Sequence, residues 1–104
     1  MSTATRTAKV KLVTIVLPSE LAESFIHSLR TLGVSGYTTV KADGGGHHGQ
    51  RVTGFVESAN VRVEVLASPA VAKEIFAFVE KRYPEDAVIA FVADVEAIPH
   101  DKFG

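Results

Sequence analysis

"ANVRVEVLASPAVAKEIFAFVEKRYPEDAVIAFVADVEAI", residues 59–98, decides the fold because it places a helical pattern between two strand patterns. In residues 59–67, valines alternate with Arg62 and Glu64, which is typical of a strand with one buried face. Ser68-Pro69 is a favourable N-cap and first-turn pair for a helix. This stretch therefore predicts a strand, a helix that crosses over the sheet, and a second strand.

The predicted second helix carries one apolar stripe at helical spacing, and Pro84 ends it. The stripe consists of Val71, Ala72, Ile75, Phe76, Val79 and Tyr83. Residues 87–98 are rich in apolar and β-branched side chains, which predicts the last strand.

The N-terminal half has the same kinds of element. Residues 9–17 predict a strand, residues 19–33 a helix with Gly33 as its C-cap, and residues 36–42 a second strand. The helical stripe consists of Leu21, Phe25, Leu29 and Leu32. The resulting order, βαββαβ, predicts an α+β ferredoxin-like sandwich in which two helices cover one face of a four-stranded antiparallel sheet.

The last predicted strand is apolar on both faces. Ile89, Phe91 and Ala93 fall on one side, and Ala90 and Val92 on the other. A sheet covered by helices on one face is expected to be polar on its other face. An apolar second face therefore predicts burial against other copies of the chain, and the alternative is a tail folded over that face.

Composition limits the possible functions. The chain has 104 residues, 46% of them hydrophobic, no cysteine and a net charge of −1. These values predict one globular domain, exclude thiolate sites and argue against a general nucleic-acid binder. We expect a tail at residues 1–8, a domain at 9–98 and a second tail at 99–104. Without an apolar signal segment at the N-terminus, the cytoplasm is the expected location.

"VKADGGGHHGQRVTG", residues 40–54, interrupts the strand and helix patterns. Backbone N–H groups around Gly45 and Gly46 could form an anion-binding nest, and Arg51 can bind a phosphate or carboxylate through two parallel hydrogen bonds. No P-loop pattern is present. The simpler interpretation is a flexible loop with a solvated arginine.

Two adjacent histidines, His47 and His48, are weak candidates for a metal site, since imidazole is a common ligand. Adjacent side chains diverge on an extended segment, and no carboxylate cluster completes the set. We therefore expect no metal; the histidines could instead hold phosphate.

The start of the second strand is another candidate site. Gly36 allows a ligand to approach the backbone closely, beside Tyr37 and Thr38, although it could simply mark a turn. Arg62 and Glu64 lie off the apolar face of the third strand, either as an exposed ion pair or as the lining of a cleft between subunits. No cysteine nucleophile, G-x-S-x-G or H-E-x-x-H pattern is present, and we expect no enzyme activity.

The chain resembles the PII signalling proteins, and within them the PII-like branch linked to bicarbonate transport and carboxysomes. "KLVTIVLPSELAESFIHSLRTLGVSGYTTVKA" is similar to the first strand, helix and second strand of that family. "RVTG" is similar to the motif that closes the family's mobile T-loop, and "HDKFG" to its C-terminal ending.

The resemblance implies a homotrimer that binds an adenine nucleotide, and in some members bicarbonate, between subunits. It implies ligand contacts from Gly36-Tyr37-Thr38 and a T-loop at 43–57, rooted at Gly36 to Thr38, that acts on a transporter or enzyme partner. Thr53 and Gly54 complete the loop motif, and Lys102 would reach the phosphate from a neighbouring subunit.

Two departures from the PII pattern refine this expectation. The turn before the last strand is "YPEDA", residues 83–87, which lacks the glycines of the PII phosphate-binding loop and carries Glu85 and Asp86. Two carboxylates disfavour a triphosphate, so AMP, ADP or cyclic AMP is expected in preference to ATP. Residues 43–57 also contain no tyrosine for PII-type uridylylation.

Two alternatives share the predicted fold. One is a divalent-metal-binding trimer similar to the cation-tolerance proteins, supported only by His47 and His48. The other is a small acyl-phosphate hydrolase, whose likeness is confined to topology because Arg51 and Asn60 lie on the wrong elements.

Overall fold

Four antiparallel strands and two helices make up the part of the chain that the computed structural model describes, residues 5–43 and 59–99. The elements are β1 (Ala8–Pro18), α1 (Ser19–Thr31), β2 (Thr38–Ala42), β3 (Asn60–Ala67), α2 (Pro69–Arg82) and β4 (Ile89–Ala97). The strand order in the sheet is β2-β3-β1-β4, and each neighbouring pair is antiparallel. The predicted α+β class and the βαββαβ order are confirmed.

The core lies between the sheet and the helices, and β1 is its centre. Val13 pairs with Val65 on β3 and with Val92 on β4. Directly paired residues share one face of a sheet, so these side chains all point toward the helices. The most completely buried side chains are Val13, Ile15, Leu17, Phe25, Leu29, Val63, Val65 and Ile75. Phe25 and Leu29 come from the predicted stripe of α1, and Ile75 from that of α2.

An aromatic cluster closes one end of this core. The buried Tyr83 ring lies 6.2 Å from the Phe25 ring and 6.0 Å from the Phe78 ring, between ring centroids. Both contacts have the edge-to-face geometry that aromatic pairs prefer. Phe78 was not among the predicted residues of the α2 stripe; it is partly buried, because it contacts the edge of the core.

Both helices have the predicted end signals. Gly33 follows α1 with a φ of 88°, a left-handed conformation that favours glycine. Its N–H donates to the Arg30 carbonyl, and the N–H of Val34 donates to the Leu29 carbonyl, which is a Schellman motif. At the start of α2, the Ser68 hydroxyl oxygen accepts a hydrogen bond of 3.3 Å from the Val71 N–H.

Three predicted strands are longer than the observed ones, the third by one residue, since β3 begins at Asn60 rather than at residue 59. β2 begins at Thr38 rather than at Gly36, and β4 spans Ile89–Ala97 rather than 87–98. Gly36 has no side chain to pack on a pleated sheet, and β2 is an edge strand that pairs only with β3. The ladder between β4 and β1 ends at the pair Val16–Ile89, so the chain before Ile89 lies outside the sheet.

The face of the sheet that carries no helix, called the outer face below, is largely apolar. Its exposed apolar side chains are Val40, Leu66, Ile89 and Phe91. Ile89 is 62% exposed and Phe91 53%, values far above those of core residues. Thr14, Arg62 and Glu64 supply polar groups near the centre of this face. The prediction of an apolar second face on β4 is thus confirmed; its occupant stays a prediction.

Neither α1 nor α2 is long and apolar enough to cross a membrane.

Candidate functional site

Four of the predicted ligand contacts, Gly36, Tyr37, Thr38 and Glu64, line one depression. Its volume is about 360 Å³, and its remaining lining residues are Leu12, Ser35 and Leu66. We call it the β2 depression, since it lies where the chain enters β2. Residues that are far apart in the sequence, Thr38 and Glu64, are therefore brought to one site.

Sheet register explains this convergence. Thr38 pairs with Glu64 on β3, and Glu64 pairs with Thr14 on β1. The three side chains form a row across the outer face. Leu66 and Leu12 form the next row, and the Schellman turn after α1 returns the chain to the sheet beside that row. The depression thus opens onto the outer face, at the margin of its apolar surface.

The lining combines apolar surface with few polar groups. Leu12 and Leu66 provide aliphatic walls, Tyr37 an aromatic ring, and Ser35 and Thr38 hydroxyl groups. Small-molecule sites are typically concave and mainly apolar, with a few polar groups that fix the orientation of the ligand. This lining suits the flat, partly apolar body of a small molecule better than a free phosphate.

One charged side chain, that of Glu64, lines the β2 depression among the described residues. Its Oε2 lies 3.6 Å from the Nε of Arg62, two positions earlier on the same face of β3. Both side chains are partly exposed, so the pair contributes little to stability. A carboxylate accepts hydrogen bonds and repels anions, so the Glu64 side of the depression favours a donor group of a ligand over its phosphate.

The two carboxylates of β4, those of Asp94 and Glu96, bond to residues that do not line the β2 depression. Asp94 forms a salt bridge with Lys11 on β1, and Glu96 accepts a 2.7 Å hydrogen bond from the Thr7 hydroxyl. They line a second depression of about 580 Å³, where β1 begins and β4 ends. The Lys11–Asp94 contact is that of a cross-strand structural pair.

Arg62, also a predicted contact, is described but does not line the β2 depression. The remaining predicted contacts lie outside the described residues. They are Gly45, Gly46, His47, His48, Arg51, Thr53, Gly54 and Lys102. Among the residues that are described, no group of three or more histidines or carboxylates could hold a metal ion. The nest, arginine and histidine interpretations therefore stay predictions.

The position of the β2 depression relative to the predicted loop differs from the expectation. The last pair between β2 and β3 is Ala42–Asn60, so the connection between the strands starts there. Thr38 lies four residues earlier, about 13 Å along the strand at about 3.3 Å per residue. The expectation that Gly36 to Thr38 form the root of the loop is therefore wrong, because β2 separates them from it.

Three lining residues, Leu12, Ser35 and Leu66, were not predicted as site residues. Leu66 carried a usable signal: it is apolar at a position of the third strand where Arg62 and Glu64 predict a polar face. An apolar residue that continues a polar outward face indicates a surface that another molecule covers.

This strand order, with both helices on one face, defines the chain as a ferredoxin-like α+β domain. A narrower assignment comes from the sequence, since the family model for nitrogen regulatory protein P-II matches residues 10–102. The chain belongs to the P-II family.

Solved structures agree with this assignment. A PII-like signalling protein from Thermus thermophilus is 35% identical over 88% of this chain and 90% of its own, with a TM-score of 0.75. CPII from Thiomonas intermedia, solved with ADP, AMP and bicarbonate, is 20% identical over 88% of this chain and 98% of its own, with a TM-score of 0.78. The B. subtilis GlnK–ATP complex is 19% identical over 86% of this chain and 84% of its own, with a TM-score of 0.59. No curated protein matches the sequence.

Proposed function

We propose that this chain is a PII-like signalling protein that binds an adenine nucleotide in the β2 depression. AMP, ADP and cyclic AMP are the candidate effectors, and bicarbonate is a candidate second ligand. The observation that carries the proposal is the convergence of Gly36, Thr38 and Glu64 in a concave site of a P-II family chain. CPII, a protein of similar fold, was solved with ADP, AMP and bicarbonate, which supports these ligand classes.

The chemistry of the lining favours the nucleoside half of such a ligand. A purine ring could lie between the aliphatic Leu66 and the aromatic Tyr37, while the Thr38 hydroxyl and the Glu64 carboxylate bond to amino or hydroxyl groups. The phosphates would then point away from Glu64. In this proposal Arg51 and Lys102 bind the phosphates, with help from His48 and the backbone at Gly45 and Gly46.

A homotrimer completes the proposed site. The outer face exposes Ile89, Phe91 and Leu66, and burial of apolar surface stabilises association by about 25 cal/mol per Å² before the costs of ordering. The β2 depression opens at the margin of this face, so a second subunit packed there would form its outer wall. The ligand would then lie between subunits, and ligand binding would depend on assembly of the trimer.

The proposed output is regulation without a catalytic step. Ligand binding would order residues 43–57, including Thr53 and Gly54, and this segment would contact a membrane transporter or another carbon-assimilation partner in the cytoplasm. Order–disorder changes of a segment are a common way to switch a binding surface.

Isothermal titration calorimetry with AMP, ADP, ATP, cyclic AMP and bicarbonate tests the ligand class. We expect heat with at least one of AMP, ADP and cyclic AMP, and weaker binding of ATP because of Glu85 and Asp86. GMP serves as the control for base recognition. Absence of heat with every adenine nucleotide would contradict the proposal.

A further inference from the structure

Tyr37 lines two separate concave surfaces. One is the β2 depression, and the other is an open groove of about 930 Å³ along α1. His27 and Arg30 also line this groove. The Tyr37 side chain is 42% exposed. The residue therefore borders both surfaces, and a rotation of its side chain would enlarge one of them and narrow the other.

The backbone around Tyr37 leaves room for such a movement. Val34 makes the last hydrogen bond of the turn after α1, and Thr38 is the first residue of β2. The three residues between them belong to neither element, and the space where a Gly36 side chain would project is open. No hydrogen bond to the Tyr37 hydroxyl is found within the described residues. Tyr83, by contrast, is buried among aromatic rings.

We propose that Tyr37 is a movable aromatic lid of the β2 depression. In the free chain its ring is shared between the depression and the α1 groove. When a ligand with a flat ring enters, the Tyr37 ring closes on that ring and withdraws from the groove beside His27. The lid thereby determines affinity for the base half of the ligand and links ligand binding to the shape of the α1 surface. This inference rests on the proposed nucleotide site and adds the residue that closes it.

A stacking lid has a distinctive energetic signature. Stacking depends on the ring and not on the phosphates, so Tyr37→Ala should weaken AMP, ADP and adenosine by the same factor, about tenfold. Tyr37→Phe keeps the ring and should bind all three within about twofold of the parent. A residue that binds phosphate would not give this pattern, because its loss would leave the affinity for adenosine unchanged.

Fluorine NMR on protein labelled with 3-fluorotyrosine tests whether the surroundings of the Tyr37 ring change when the ligand binds, and the two signals are simple to assign because the chain has only two tyrosines. Adding AMP should shift the Tyr37 resonance and leave that of Tyr83 in place. Because Tyr83 is buried, its unchanged resonance also shows that the core is intact. Tyr37→Phe assigns the signals, since its spectrum lacks the Tyr37 resonance.

The lid is refuted if calorimetry detects AMP binding to the parent and either the Tyr37 resonance stays fixed or Tyr37→Ala binds AMP like the parent. In that case the proposed nucleotide function stands. If no adenine nucleotide binds the parent, the proposed function fails and the lid fails with it. If Tyr37→Ala lowered the affinity for AMP and ADP but not for adenosine, the lid would also be overturned, because that result would place Tyr37 at the phosphates.

Discussion

Single residues at the ends of the helices show the most direct link between sequence and structure. Gly33 and Ser68-Pro69 were predicted as a helix end and a helix start, and both have the expected geometry. These positions are predictable because the physical requirement is local: a left-handed backbone needs glycine, and an unpaired helical N–H needs an acceptor.

Replacing Gly33 by alanine should lower the free energy of unfolding by about 1–2 kcal/mol, because its φ of 88° is unfavourable for a residue with a Cβ atom. Gly36→Ala is the matched control: it has no atom near the added Cβ and no positive φ, so its stability should change little. Urea denaturation of both variants measures the difference. Equal stability losses would contradict the assigned role of the Gly33 conformation.

The Ser68 cap offers a second test at this scale. Ser68→Ala removes the acceptor of the Val71 N–H and should cost about 1 kcal/mol of stability. Ser68→Asp retains an acceptor and should stay near the parent in thermal denaturation. If the aspartate variant is as unstable as the alanine variant, the hydroxyl contact is not the source of the effect.

Arg51 is the residue-scale test of the proposed phosphate contact. Arg51→Ala should weaken AMP or ADP binding by about 1–3 kcal/mol if the guanidinium bonds to phosphate. Lys81→Ala removes a positive charge from the exposed face of α2 and serves as the control for net charge. Calorimetry measures the AMP and ADP affinities of both variants. Identical affinities for the parent and Arg51→Ala would remove Arg51 from the site.

At the scale of elements, periodicity predicted the number, type and order of strands and helices. The buried faces followed from alternation in β3 and from the stripes of α1 and α2, since each pattern repeats over many residues. Strand ends were predicted less well because they depend on partners: Gly36 and Ala87 lie outside the sheet. The β2 depression depends on the Thr38–Glu64 register, which a single sequence without pairing information does not specify.

The apolar outer face is the element-scale feature with the clearest consequence. Phe91→Glu places a charge on the apolar β4 side of that face and should convert an oligomer to monomers, because a buried unpaired charge is costly. Ala77→Glu places the same charge on the exposed side of α2 and should leave the oligomer intact. Light scattering after size-exclusion chromatography measures both masses. A monomeric parent would contradict the proposed trimer.

At the scale of the whole molecule, the sheet positions the candidate site and the proposed subunit interface side by side. The row Thr38–Glu64–Thr14 continues to Phe91 on β4, so ligand contacts and apolar interface residues share one face. In the proposed trimer, this continuity would place the ligand between subunits. Family membership was predictable from short motifs along the chain, whereas the volume and lining of the depression required the folded structure.

The central claim is that the β2 depression is the nucleotide site. Calorimetric titration of ADP into the parent and into Gly36→Val tests it most directly, because Gly36 lines the depression and a branched side chain there would add bulk at its wall. Ala70→Val, an enlargement of similar size on the exposed side of α2, is the control. We predict that the parent and Ala70→Val bind ADP alike and that Gly36→Val loses binding. Equal affinity in all three proteins would contradict the claim and place the nucleotide elsewhere.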